Sequence, residues 1–364
     1  MSAHSNHLAR WTWIGPLAAL SILGLSLFGI GASPGFAAVA GAALAVAVAA
    51  AVHHAEVVAL RVGEPYGTIV LAVAVTVIEV GLIVMLMLEG GPGASALARD
   101  TVFAAVMIVS NGILGLCLLV GGLRHGEQGF QVQGASSLLA VLPALVTLTL
   151  VLPTFTTSTM GPTYSTAQLV FAGIASLGLY AVFIFVQAVR HSDDFLPVGR
   201  GDDEPDSHTA APSTRQAWVG LGMLLASLVA VVGLAKALAP YIAGAVAAAG
   251  APAAVVGIAI ALLVLLPETV AAVRAASANR LQTSLNLALG SGLATIGLTI
   301  PVVAALSLWL DRPLELGLDP KSLVLLVLTF IVGTLTLGTG RTTVLQGAVH
   351  VVILAAFVVL TILP

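Results

Sequence analysis

The chain has 364 residues, of which 59% are hydrophobic and 8% charged, with a mean hydropathy of +1.10. That leaves too little polar surface to cover a water-soluble globule, which excludes a soluble enzyme. The net charge of −3 brings no basic patch that could grip nucleic acid, and the lone Cys117 excludes an internal disulfide.

In chain order, breaks at Gly, Pro and charged clusters predict membrane-spanning helices near 11–30, 36–60, 67–88, 101–121, 136–153, 166–189, 217–240, 253–275, 283–308, 322–339 and 342–363. The fold class expected is an all-α integral membrane protein of about eleven helices, in contact with lipid. The first span starts at Trp11 and Trp13 and lacks a signal-cleavage pattern, so it reads as a retained helix.

The one substantial hydrophilic interruption is 190–216, RHSDDFLPVGRGDDEPDSHTAAPSTRQ, a polar, Pro-containing acidic linker. It divides the chain into an extra N-terminal helix over 1–35, five helices over 36–189 and five more over 217–364. Equal halves of odd helix number run in opposite directions, the arithmetic of an inverted repeat.

The basic residues divide unevenly between the two faces. Arg10, Arg61, Arg124, Arg190, Arg200, Arg215, Arg274, Arg280 and Arg341 fall on one side, and Arg99, Lys236, Arg312 and Lys321 on the other. The positive-inside rule then places the N-terminus and the linker in the cytoplasm.

The second helix of each half carries a carboxylate that hydrophobicity does not explain, Glu79 and Glu268. A carboxylate at such depth costs roughly 2.5–3.5 kcal/mol on insertion scales, so it faces a protein interior or a wet cavity. Thr76 lies one turn before Glu79 on the same helix face. Pro267 removes a backbone donor beside Glu268, which leaves a carbonyl available to a cation. In the following helices SNGILGL (110–116) aligns with GSGLATI (290–296), bringing Ser110, Asn111 and Ser291 to the set as neutral oxygens. An all-oxygen set with two full charges suits a hard cation such as Ca²⁺, and no Cys or His stands beside the acids to favour zinc or copper. The same carboxylates carry protons, so cation and H⁺ compete, which is antiport in outline.

GEPYGT (63–68), TVIE (76–79), LLPE (265–268), NRLQTSLN (279–286) and GSGLATIGLTIP (290–301) together resemble the repeats of the cation/Ca²⁺ exchanger superfamily, in particular the bacterial calcium/proton antiporters of the ChaA type. The resemblance covers the chain from about residue 50 onward. It implies that Glu79 and Glu268 bind the transported cation and exchange it for protons, with Asn111 and Ser291 lining the site. It implies no cofactor; Ca²⁺, with Na⁺ or K⁺ as further candidates, and H⁺ are the substrates. Where vacuolar relatives carry a GNA-type stretch before each glutamate, TVI and LLP stand here.

HHAE (53–56) places His53, His54 and Glu56 in an apolar setting, read either as a gate or proton path or as residues that snorkel to the interface. Glu64, ahead of Pro and Gly, reads as a helix cap more readily than as a gate. A membrane enzyme using the two glutamates as acid and base would need residues to hold its substrate, and a cation channel would need a ring of acids from a homo-oligomer. The inverted pair within one chain favours alternating access.

The charge split yields a direct expectation. A reporter fused after Pro364 reads periplasmic and one placed near Pro205 reads cytoplasmic; both on one side would overturn the span count.

Overall fold

The computed structural model describes residues 5–28, 33–63, 66–89, 93–196 and 212–363. Among them are eleven helical segments: α1 (Ser5–Leu27), α2 (Pro34–Val62), α3 (Tyr66–Glu89), α4 (Ala94–His125), α5 (Val132–Thr154), α6 (Thr166–Arg190), α7 (Thr214–Ala248), α8 (Ala254–Ser277), α9 (Leu281–Trp309), α10 (Pro320–Leu337) and α11 (Val344–Ile362). Nine are long and apolar enough to cross a membrane; the apolar stretches of the other two are shorter, Trp11–Leu27 in α1 and Val73–Met85 in α3. This is the predicted all-α membrane architecture.

Helix starts follow local chemistry. Ser33 accepts from Phe36 N ahead of Pro34, and Asp319 accepts from Ser322 N ahead of Pro320. Reciprocal capping boxes open three helices: Ser165 with Gln168 at α6, Ser213 with Gln216 at α7 and Thr343 with Gln346 at α11. Thus the fifth helix of each half begins in the same way.

Two boundaries differ from expectation. Helix α4 starts at Ala94, so Arg99 and Asp100, expected in a loop, are helical. Their charges offset one another at 2.8 Å, with Glu315 4.0 Å from Arg99, which makes a charged first turn tolerable. Helix α7 runs on through Pro240 to Ala248. A proline inside a helix costs one hydrogen bond, and the 35-residue segment absorbs it without ending.

The connections pair by parity. A two-residue antiparallel ladder joins β1 (Gln128–Gly129), after α4, to β2 (Arg341–Thr342), after α10. Arg61 at the end of α2 donates to Thr214 at the start of α7, and His125 after α4 meets the Ser277 carbonyl after α8. Ser95, after α3, donates to Glu315, after α9. Each bond joins connections separated by an even number of spans. A miscounted span between any of these partners would put them on opposite faces.

Contacts gather the helices into two units, Met1–Ala94 with Pro205–Val256, and Ser95–Glu204 with Gly257–Pro364. In the first, α2 presents an alanine-rich buried face (Ala40, Ala47, Ala50, Ala51, Ala55), and α7 buries Ala230, Val231, Leu234 and Ala235. Small residues let helices approach closely where lipid supplies no hydrophobic drive for association. In the second, α4 is enclosed, with 89% of its apolar window buried.

Each half also carries a π-helical turn in its third helix, Ile108–Ile113 in α4 and Thr295–Thr299 in α9. Such turns insert one residue into the helical ladder and recur at functional positions. Aligned on these turns, Asn111 stands level with Gly297 or Leu298, not with Ser291.

Close packing of α4 on α11 depends on glycine. A Cβ at Gly347 would lie 2.6 Å from Leu119 N and 2.9 Å from Gly115 O, both backbone atoms that cannot turn aside. Gly347→Ala is therefore expected to destabilise the protein by about 1–3 kcal/mol, read as a lower melting temperature in detergent. Gly178→Ala, on α6 with nothing within 4 Å of its Cβ, should leave that temperature unchanged or raise it.

Candidate ion-binding site

Glu79 sits in the middle of α3 and is 2% exposed. Thr76, one turn earlier on the same face, is also buried. A full charge enclosed this deeply in an apolar helix has no structural economy unless something compensates it.

Glu268 lies on α8, half-buried, with its Oε2 atom shielded from solvent. Pro267 does not break α8, which is continuous from Ala254 to Ser277. The proline ring nevertheless removes the N–H that would bond to the Leu263 carbonyl. Two residues on, the Thr269 hydroxyl donates to Leu265 O at 2.6 Å. Glu79 belongs to the first unit and Glu268 to the second.

Ser110 and Asn111 stand on the π-turn of α4, both buried. The Ser110 hydroxyl makes no hydrogen bond among the described residues. The Asn111 amide, by contrast, is bonded at both its nitrogen and its oxygen. Thr329 on α10 donates its hydroxyl to Leu325 O at 2.7 Å and so accepts from Asn111 Nδ2 at 2.9 Å. Asn111 Oδ1 then faces His350 Nδ1 on α11 at 3.0 Å, which must be the donor. The second ring nitrogen of His350 is 3.1 Å from Thr336 Oγ1. With Nδ1 carrying the proton, Nε2 accepts from that hydroxyl, and the neutral ring is satisfied at both ends.

This polar chain joins α4, α10 and α11 through residues with no exposure above 3%. Sequence reasoning singled out Asn111, read His350 as structural for want of a polar neighbour in the chain, and passed over Thr329 and Thr336. The available signal was two threonines seven residues apart on one face of α10 and a single histidine in the apolar α11. Ser291, on α9, is half-buried.

The HHAE segment divides. His54 is buried and its Nε2 donates to the Thr12 carbonyl on α1 at 2.9 Å, while Trp11 and Trp13 pack on His53 and His54 with ring centroids 6.4 Å away. The two imidazoles, Thr12, Trp13, Gln216 and Gly220 line a cavity of about 260 Å³ within the first unit. Glu56, exposed on the outer face of α2, stands apart from it. Among the described residues no three His, Cys, Asp or Glu side chains cluster as a metal centre. Glu64 lies outside the described residues, as do 197–211 of the linker.

Comparison with known proteins places the chain in a family. The chain is 50% identical over its full length to y4hA of Sinorhizobium fredii, provisionally named an ionic transporter, covering 99% of that protein. It is 34% identical to the sodium-potassium/proton antiporter ChaA of Escherichia coli over 84% of this chain and 83% of that one. The fold matches native YfkE, described as a Ca²⁺/H⁺ antiporter protein, with a TM-score of 0.76 at 16% identity over 97% of this chain and 100% of that one. Residues 32–189 and 219–363, the two five-helix halves on either side of the linker, both match one family of membrane transporters, not of enzymes: the chain belongs to the sodium/calcium exchanger protein family.

Proposed function

We propose that the chain is a secondary antiporter that exchanges a cation for protons by alternating access, with Glu79 and Glu268 as the groups that hold both. The observation that carries this reading is Glu79, a carboxylate 2% exposed near the middle of an apolar helix, with Glu268 on the corresponding helix of the inverted half. A cation and a proton each neutralise such a group, and each does so only in the other's absence. Loading the site with protons from one side and the cation from the other couples the two gradients without any bond chemistry.

Ca²⁺ is the cation we assign first, because two carboxylates with hydroxyl and carbonyl oxygens match its preference for many oxygen ligands. Thr76, Ser110, Asn111 and Ser291 are the neutral members of that set. Na⁺ and K⁺ form the second reading, favoured by the name of the relative that is 34% identical. The protein works in a bacterial inner membrane with its N-terminus and the 190–216 linker in the cytoplasm, and the repeats run over 36–189 and 217–364. His53 and His54, at the contact of α1 with α2, act in the gate; replacing both with Gln should shift the pH profile of exchange while protein yield stays normal.

The deciding measurement is cation flux into proteoliposomes under an imposed pH gradient, with Ca²⁺, Na⁺ and K⁺ tested in turn. Glu79→Gln or Glu268→Gln keeps the shape of the side chain but deletes one charge and the proton acceptor, so either variant should reduce flux at least a hundredfold while still inserting and folding. In the native protein, acidification should weaken cation binding competitively, because protons and cation share the same oxygens. Normal exchange by either Gln variant would return both acids to a structural role.

A further inference from the structure

His350 lies 239 residues from Asn111 in sequence, is 0% exposed, and has no part in the two-glutamate exchange as described above. Its surroundings fix its chemistry. On α4 it faces Asn111 and hydrogen-bonds the backbone of Ser110, and on α10 it faces Thr336; Gly115 comes close enough that a Cβ there would sit 3.0 Å from the His350 Cβ. The direction of every hydrogen bond in the chain follows from Thr329, whose hydroxyl is committed to the Leu325 carbonyl. The imidazole therefore donates from Nδ1 and accepts at Nε2.

The group it grips lies on the π-turn Ile108–Ile113, an i→i+5 interruption of the α-helical ladder of the kind found at functional sites. Next to Asn111 on that turn is Ser110, whose buried hydroxyl bonds to nothing among the described residues. A buried hydroxyl without a protein partner is costly unless a ligand or water completes it. We propose that His350 is a positioning residue of the ion site: by holding Asn111 through Nδ1 it sets the rotation of the π-turn Ile108–Ile113 and thereby aims the Ser110 hydroxyl at the transported cation. The proposal rests on the antiport reading above and assigns to this chain a determinant of affinity outside the two glutamates.

Two replacements separate positioning from mere packing. Asn at 350 places an amide nitrogen near the Nδ1 position and keeps the donor to Asn111; Gln places its amide near the Nε2 position and loses that donor while filling more of the volume. Proton-driven uptake into proteoliposomes, with Ca²⁺ and in parallel Na⁺ as the probe, is measured for His350→Asn, His350→Gln and the native protein, alongside melting temperature in detergent. The expected result is a cation KM raised about tenfold in His350→Gln with kcat within twofold of native, and a KM within about threefold of native in His350→Asn. Ser110→Ala should raise KM to a similar degree, and combining it with His350→Gln should add little, as expected when one group acts through the other. A native KM in His350→Gln, or additive effects in the double variant, would overturn the positioning role. Should both variants melt far below the native protein, ¹⁵N spectra of ring-labelled native protein supply the second readout. A neutral ring protonated at Nδ1 that changes tautomer in Asn111→Ala supports the grip, and an unchanged ring refutes it. Glu79→Gln in the same flux assay keeps the two ideas apart: its normal activity would sink the antiport site itself, whereas its inactivity beside a native KM in His350→Gln would sink the positioning role alone.

Discussion

A helix enclosed by other helices within a membrane has no water to satisfy its polar groups, so each must find its partner in protein. Helix α4 is held under that constraint more tightly than any other in the second unit. Its solution has two parts. Glycines at 115 and 122 bring α11 within backbone distance, and at the level of the π-turn the polar side chains of α10 and α11 close around Asn111. Packing and polar satisfaction are therefore one problem here. The small residues that allow close approach also set the reach of His350.

The carboxylates obey the same constraint by another route. Thr76 and Glu79 share one buried face of α3, and Pro267 leaves the Leu263 carbonyl of α8 without its helical donor. Neither arrangement improves the stability of a helix in lipid. Under the antiport reading proposed above, both put oxygen within reach of a cation, at a cost that a purely structural helix would avoid.

Much of this was legible in the sequence because hydrophobic length dominates the folding of a membrane chain. The eleven spans, the break at the linker and the two exceptional glutamates follow from counting apolar runs and noting what interrupts them. What escaped was governed by contacts distant in the chain. Arg99 and Asp100 looked like a loop because their charge is offset only by each other and by Glu315. Pairing by letters sets Asn111 against Ser291, whereas the register of the π-turns sets it level with Gly297 or Leu298, a difference with no reliable mark in the sequence. His350 has no polar neighbour near it in the chain, and its partners become apparent only once α10 and α11 are folded against α4.

The same long-range closure bears on how the protein is made. As spans leave the ribosome in order, α4 enters the bilayer long before α10 and α11 exist, and Asn111 must spend that interval as a polar group in lipid or in provisional company. His350 arrives only with α11, made after both α4 and α10. The polar chain of the second unit is therefore incomplete until α11 is in place, and a nascent chain halted before it lacks the His350 partner of Asn111 on its most enclosed helix.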